Sequence, residues 1–431
     1  MSRIALTLSG PPSALSASPD RIRAGTPEFR RSNRALFLGG FSTFSLLYCV
    51  QPLMPIFAKE FGLSAVQSSW SLSISTAALA IFLLVAGIVS DSVGRKPMMC
   101  GALLLSSAAT ILCAFAQNYL QLLLMRGLLG IVLAGLPAVA MAYLSEEIEP
   151  TSLGYSMGLY ISGSALGGML GRVCSSLLTA AFSWRFAIAI IGVAGFLSGL
   201  EFWRSLPTSH HFHKSRFDAA TIAAGLRGHF RDQGLRWLFL LGFLLLGSFV
   251  SLYNYLSFRL LDAHFGLRQS AISAIFSLYV IGMFSSVWVG KLGDKFGRRR
   301  VLWLVMSVML TGLLLTLANT LALIVVGIAL FTFGFFGSHS IASSWVGRRA
   351  KAPQALASAL YLLSYYLGSA LVSSVAGIMW GHAGWNGVVL VLTASLLASL
   401  FVSLRLRTLS IAAPDLPAVQ SPSIQSDNPG A

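Results

Sequence analysis

Arg126, Arg172 and His339 each stand in a stretch where nearly every neighbour is apolar. A charged side chain in such a setting is costly and marks an ion site, a substrate site or a proton path. Arg126 lies about six residues from the outer end of its run, roughly 9 Å deep at 1.5 Å per residue. Its five donors suit a carboxylate or, alternatively, backbone carbonyls. Arg172 lies at a similar depth, so the two together form a candidate anion site, although Arg172 can equally extend its stem toward the edge of the apolar layer. His339 titrates near neutral pH in its ordinary state, which suits a proton relay, while simple packing also accounts for a histidine there. Tyr48, Gln51, Asn254 and Tyr255 add polar atoms to two further runs, either as a cavity lining or as hydrogen bonds between helices.

Catalytic groupings are absent from these runs. No His-Glu-x-x-His and no carboxylate pair falls within them: Glu60, Glu201 and Asp262 sit at edges, and Glu146, Glu147 and Glu149 follow a run. Cys49, Cys100, Cys113 and Cys174 have neither disulfide-framework nor metal-ligand spacing. No cofactor and no metal is expected, and the chain reads as no enzyme.

A second pattern occurs twice, each time between two apolar runs. Gly87, Asp91, Gly94, Arg95 and Lys96 are matched by Gly290, Asp294, Gly297 and Arg298, at an offset of 203. Glycine permits a tight turn and close helix approach. An aspartate at a membrane edge can pair with a nearby arginine or a helix N-terminus, in contacts that form in one conformer and break in another.

The elements that carry these residues follow from composition. Only 10% of the 431 residues are charged and 55% are hydrophobic, against about 25% charged in a soluble domain. Apolar runs predict membrane-spanning helices near 35–57, 69–90, 97–117, 120–143, 154–177 and 184–203, then 237–258, 271–290, 301–318, 321–346, 354–378 and 385–404. The predicted class is an all-α polytopic membrane protein with twelve transmembrane helices in two six-helix halves. Pro52 and Pro55 are expected to break the first of them. The net charge of +16 does not point to nucleic acid: of 30 Lys and Arg, 24 fall in the tails and even-numbered loops. Lys59, Arg185, Arg259 and Arg268 fall on the other side. That asymmetry predicts both termini in the cytoplasm.

Three further repeats support two halves. Phe61-Gly62-Leu63 recurs at Phe265-Gly266-Leu267, Gly163-Ser164-Ala165-Leu166 at Gly368-Ser369-Ala370-Leu371, and Trp184 and Trp385 each open a final run. The expected division is a cytoplasmic tail at 1–34, halves at 35–203 and 237–405, a linker at 204–236, and a disordered tail at 406–431. The linker histidines His210, His211 and His213 read as polar linker residues rather than a metal site.

The duplicated loop resembles the signature loop of the major facilitator superfamily, and the resemblance covers residues 35–405. It implies alternating access about a midplane site, with the loop residues supporting conformational switching. Arg126-Gly127-Leu128-Leu129-Gly130 resembles the family's fourth-helix motif, associated with proton coupling in antiporters. Gly158, Gly163, Gly167, Gly168 and Gly171 resemble the glycine-rich fifth helix of drug:proton antiporters, without its proline, and their spacing suits close helix packing. The nearest likeness is to the bacterial drug- and sugar-efflux branch, including YnfM-type inner-membrane proteins. That branch implies proton-coupled efflux of a small organic molecule by an inner-membrane monomer. The partners expected are a small-molecule substrate, the lipid bilayer and protons, with no nucleic acid. Two intramembrane arginines without carboxylates suggest, as the alternative, transport of a small anion without proton coupling.

Overall fold

The computed structural model describes residues 21–209, 219–350 and 354–408. The expected tail residues 1–20 and 409–431 and the linker histidines lie outside them. The described residues are helical apart from turns and one isolated bridge, between Ile22 and Ile148.

The first crossing is broken, as its prolines require. α1 (Pro27–Tyr48) gives way to a 3-10 turn (Gln51–Leu53) and then to α2 (Met54–Phe61). Neither Pro52 nor Pro55 has an N–H to donate to the preceding turn. α3 (Ala65–Val93), α4 (Arg95–Cys113), the broken pair α5 (Tyr119–Leu133) and α6 (Pro137–Glu147), α7 (Pro150–Ala181) and α8 (Trp184–Ser205) complete the first half. α9 (Ala219–Arg231) leads to α10 (Gln233–Leu261), the pair α11 (Gln269–Phe276) and α12 (Tyr279–Phe296), α13 (Arg298–Leu315) and α14 (Leu321–Arg349). α15 (Gln354–Thr408) is two crossings, because Ala383 and Gly384 leave helical geometry, with Gly384 at φ 55°.

Nine stretches among the described residues are long and apolar enough to cross a membrane, the two arms of α15 being one of them. α7, diluted by glycine and serine, and α13, which opens on three arginines, complete twelve crossings. Large apolar side chains point outward along them: Phe115, Leu120 and Leu124 are 71%, 65% and 63% exposed. Small polar residues such as Ser71, Ser75, Thr76 and Ser106 are buried instead. That inversion suits helices with lipid outside and close contacts inside.

The repeats have the same backbone in both copies. Gly62 (φ 64°) and Gly266 (φ 56°) are left-handed, and Gly62 caps α2. Gly94 (φ 106°) and Gly297 (φ 87°) turn the chain between α3 and α4 and between α12 and α13. The first helix differs from expectation, starting at Pro27 and not at 35. Thr26 accepts from the N–H of Phe29 at 3.2 Å, and a proline suits the first turn. Ile22 N–H donates to Glu147 O at 2.8 Å and Glu149 N–H to Ile22 O at 3.1 Å, so residues 21–34 belong to the folded body rather than to a loose tail.

The halves meet where α3 packs along α15 and α7 along α11. Three side-chain hydrogen bonds join the halves toward the face opposite the termini, called here the distal face. Ser176 Oγ donates to Gln269 O at 2.7 Å and Gln269 Nε2 to Pro52 O at 2.9 Å, and Tyr255 Oη lies 3.1 Å from Ser69 Oγ.

Candidate functional site: a buried arginine between the halves

The break in the first crossing organises the centre. Leu46 and Leu47 end α1 with carbonyls that the helix does not fully use, and Arg126 from α5 reaches them. Its Nη1 donates to Leu46 O at 3.0 Å, Nη2 to Leu47 O at 2.5 Å and Nε to Ser71 O at 2.9 Å. Every guanidinium nitrogen of this fully buried residue thus serves backbone, so Arg126 caps a broken helix and ties it to α3 and α5. The paired-arginine anion site expected from sequence is not formed; Arg172 stands there without Arg126.

Arg172 is 1% exposed, about 14 Å from the distal end of α7 at 1.5 Å per residue, so it does not reach the surface. Its Nε donates to Gln51 Oε1 and its Nη1 to Gly168 O, both at 2.5 Å. Its guanidinium carbon lies 4.0 Å from the centre of the Tyr48 ring and 4.6 Å from that of Tyr279, one tyrosine from each half. Such stacking stabilises a desolvated cation by about 2 kcal/mol or more. Among the described residues no carboxylate pairs with Arg172, and Nη2 has no hydrogen-bond partner.

Gln51 and Asn254, which read from sequence as either cavity lining or hydrogen bonds between helices, are both fully buried and joined across the halves. Gln51 Nε2 donates to Asn254 Oδ1 at 2.6 Å and to Val250 O at 3.3 Å, and Asn254 Nδ2 donates to Ser373 Oγ at 2.7 Å. Tyr255 Oη also donates to Ser373 O at 2.8 Å. A chain Arg172–Gln51–Asn254–Ser373 therefore runs from α7 through the break to α10 and α15. The 3-10 turn sets it up, by turning Gln51 out of the α1 path.

His339 lies in α14 among tyrosines of α15. Its Nδ1 is 2.9 Å from Tyr361 Oη, and its ring stacks on Tyr365 with centroids 4.6 Å apart. It touches neither Arg126 nor Arg172.

At the other face Arg95 clamps the duplicated loop. Its Nη1 binds Asp91 Oδ1 at 2.6 Å and Ser90 Oγ at 2.5 Å, while Nη2 and Nε hold Glu146 Oε1 and Oε2 at 2.7 and 3.1 Å. Lys96 Nζ donates to Leu206 O at 2.5 Å. Its second copy is described at Gly290 and Gly297; the side chain of Asp294 lies outside the described residues.

A broken first helix, a duplicated loop on matching left-handed glycines and two six-crossing halves closed at one face go together with what comparison finds. The model of the Major Facilitator Superfamily matches residues 36–283 and again 256–423. The chain belongs to the major facilitator superfamily. It is 46% identical over 382 residues to the MFS-type transporter YybF of Bacillus subtilis strain 168, covering 89% of this chain and 95% of that protein. It is also 46% identical to the inner membrane transport protein YnfM of Escherichia coli K12, over 89% of this chain and 92% of that one. Among solved structures it resembles a bacterial homologue of the human lysosomal transporter Spinster in its inward-facing, unoccupied conformation. The TM-score there is 0.69 at 16% identity, over 89% of this chain and 96% of that one.

In this facilitator the glycines of α7 do bring helices together, with one exception. A Cβ at Gly163, Gly167 or Gly171 would come within 2.4 Å of Phe37 O, 1.9 Å of Phe41 O or 2.6 Å of Ser45 Cα. Gly168 leaves room for Arg172 Nη1 at 3.3 Å. Gly158 was expected to pack, but nothing lies within 4 Å of where its Cβ would be. It is exposed on a side of α7 turned away from α1, although the contact between the two helices continues past its level, where Phe29 stacks on Tyr155. Gly87 likewise meets nothing, so of the first loop's glycines Gly94 alone has a conformational need. The second half repeats the contact with the roles exchanged: Gly368 faces Phe243 O at 2.0 Å, whereas one turn on Gly247 makes the room and Val372 fills it. Sequence reasoning missed Glu146, Ser373 and Tyr279. Glu146 had a signal, as an acid placed just beyond an apolar run on the loop's side; Ser373 and Tyr279 had none.

Proposed function

We propose that the protein is an alternating-access secondary transporter of a small organic anion, with Arg172 recognising the acidic end of the substrate. The observation that carries this reading is a fully buried arginine at the junction of the halves, held by neutral groups and facing no carboxylate. An unpaired charge in so low a dielectric is stabilised by whatever anion can reach it. Both Tyr48 and Tyr279 reach it from opposite halves, so a substrate there touches both moving bodies. With the termini in the cytoplasm, as the charge asymmetry implies, the cross-half bonds at Ser176, Gln269 and Tyr255 lie on the outer side, which suits loading from within for efflux.

Proton coupling has separate support. His339 lies deep within a described span, its residue type ordinarily titrates near neutral pH, and its hydrogen bond to Tyr361 offers a path for a proton. Proteoliposomes containing the purified protein and a pH-sensitive dye separate the two ideas. Anion uptake that disappears in Arg172→Met but persists in His339→Ala supports the anion reading without proton coupling. Anion-driven proton movement lost in His339→Ala supports exchange of anion for proton. Transport of neutral or cationic compounds unaffected by Arg172→Met would overturn the proposed substrate class.

A further inference from the structure

Two of the five N–H groups of Arg172 have acceptors among the described residues, and the unfilled ones include a position on a geometrically defined edge. A guanidinium presents Nε and Nη2 side by side, the edge that takes a carboxylate with two parallel bonds. Arg95 uses that edge in this same protein, holding both oxygens of Glu146 at 3.1 and 2.7 Å. On Arg172 the same edge is half used: Nε binds Gln51 Oε1 at 2.5 Å, and Nη2 has no partner among the described residues. The amide oxygen of Gln51 supplies one bond from a neutral acceptor where a carboxylate would supply two from an anionic one.

Resting on the proposed anion reading, we infer that Gln51 is a displaceable plug in the Arg172 site, and that a substrate carboxylate opens the distal face by taking its place. Gln51 has two tasks that share one rigid amide plane. Its oxygen occupies Arg172 and its nitrogen holds Asn254 Oδ1 and Val250 O of the opposite half, at 2.6 and 3.3 Å. A carboxylate on the Nε–Nη2 edge leaves the Gln51 oxygen buried without a donor, which is costly enough to turn the amide away. Turning it removes the donor from Asn254 and Val250. Both bonds from Gln51 to the other half are then lost, leaving at this break the bond from Gln269 Nε2 to Pro52 O, while the substrate neutralises the arginine that anchored the amide. The two tyrosine rings beside the guanidinium favour a carboxylate carried on a flat, apolar body, stacked in line with them. The substrate class is therefore an aromatic carboxylate, and its occupancy is the signal that releases the distal contact.

The test uses the full chain in lipid nanodiscs, with spin labels at Gln117→Cys and Asn319→Cys. These are exposed residues of the two halves on the distal face, and Cys174, the exposed native thiol, is changed to Ser. The ligands are benzoate, phenylacetate and cinnamate, each paired with its own amide, and binding is read by calorimetry. The expected result is that at least one carboxylate binds and lengthens the label separation, and that its amide does neither. Gln51→Leu removes the competitor: binding tightens about tenfold, the worth of one competing hydrogen bond, and the distal face opens without ligand. Gln51→Glu, which keeps size and polarity, places a fixed carboxylate on Arg172 and no donor toward Asn254. It is expected to be open without ligand and to bind no added carboxylate.

Carboxylate binding of equal affinity in wild type and Gln51→Leu, with an unchanged separation, overturns the plug and leaves the anion reading standing. Separations in both Gln51 variants that match ligand-free wild type overturn the plug as well. If no carboxylate binds wild type or Gln51→Leu, the anion reading itself falls, and the plug with it.

Discussion

Replacing Gly167 by alanine tests the packing on which the whole first half depends. The added Cβ would sit 1.9 Å from Phe41 O and 2.5 Å from Phe41 C, whereas a carbon and a carbonyl oxygen in contact stay about 3.3 Å apart. α1 and α7 must therefore separate by about 1.4 Å at this level, a distance set by that contact limit. Backbone, not a flexible side-chain tip, stands in the way, so the strain cannot be relieved by a rotamer change. Overpacking costs about 1–3 kcal/mol, and this site belongs at the upper end, about 3 kcal/mol. The movement also lengthens the bond from Ser45 Oγ to Gly167 O, now 2.9 Å. At about 2–4 °C per kcal/mol for a unit the size of one half, the Tm falls by roughly 6–12 °C. Thermal unfolding of the purified protein in detergent reads this directly. Gly158→Ala is the internal control: its Cβ meets nothing within 4 Å, and alanine in a helix is favoured over glycine by about 0.8–1 kcal/mol. It should hold or raise the Tm. Equal melting of Gly167→Ala and wild type, or an equal loss in both variants, would refute the close approach of α1 and α7.

Three further outcomes are expected. Arg126→Met leaves the Leu46, Leu47 and Ser71 carbonyls without their donor, at about 1–3 kcal/mol for each one that stays unsatisfied; thermal unfolding should show a larger loss than for Arg126→Lys, and equal losses would argue against the capping role. Arg95→Ala should impair transport more than Glu146→Ala, because it also removes the donor to Asp91 and Ser90, and the double variant should lose no more than Arg95→Ala; additive losses in a transport assay would mean independent roles. Burial alone would raise the Asp232 carboxyl, but Arg349 at 2.7 Å and the N–H of Leu235 more than reverse this and hold it below the usual carboxylate range. A depressed folded-state pKa gives stability that is present above the unfolded value of about 3.9 and is lost as pH falls through the folded value. The Tm advantage of wild type over Asp232→Asn should therefore be constant near neutral pH and shrink below about pH 4.

Much of the architecture was written in the chain itself. Apolar run length fixes the crossings because a bilayer core offers backbone groups no water to bond, and this holds without knowledge of packing. The break at Pro52 and Pro55 and the left-handed turns at Gly94 and Gly297 are equally local, since missing donors and positive φ are properties of single residues. Partnership is different. Sequence put Arg126 and Arg172 at one depth with the same chemistry available to both. Only the fold turned the first onto the carbonyls of a broken helix and brought the second against a tyrosine from each half with a half-empty edge. Sequence named Gln51 and Asn254 as polar residues of two separate helices, but their rotation about each axis, and hence their bond to each other, depends on how the halves lie together. Gly158 and Gly163 look alike in the chain, and they differ because Gly163 lies on the face of α7 packed on α1 while Gly158 is exposed on another. A side chain's type is local, but what it faces is set by residues tens to hundreds of positions away, and that decision belongs to the tertiary structure.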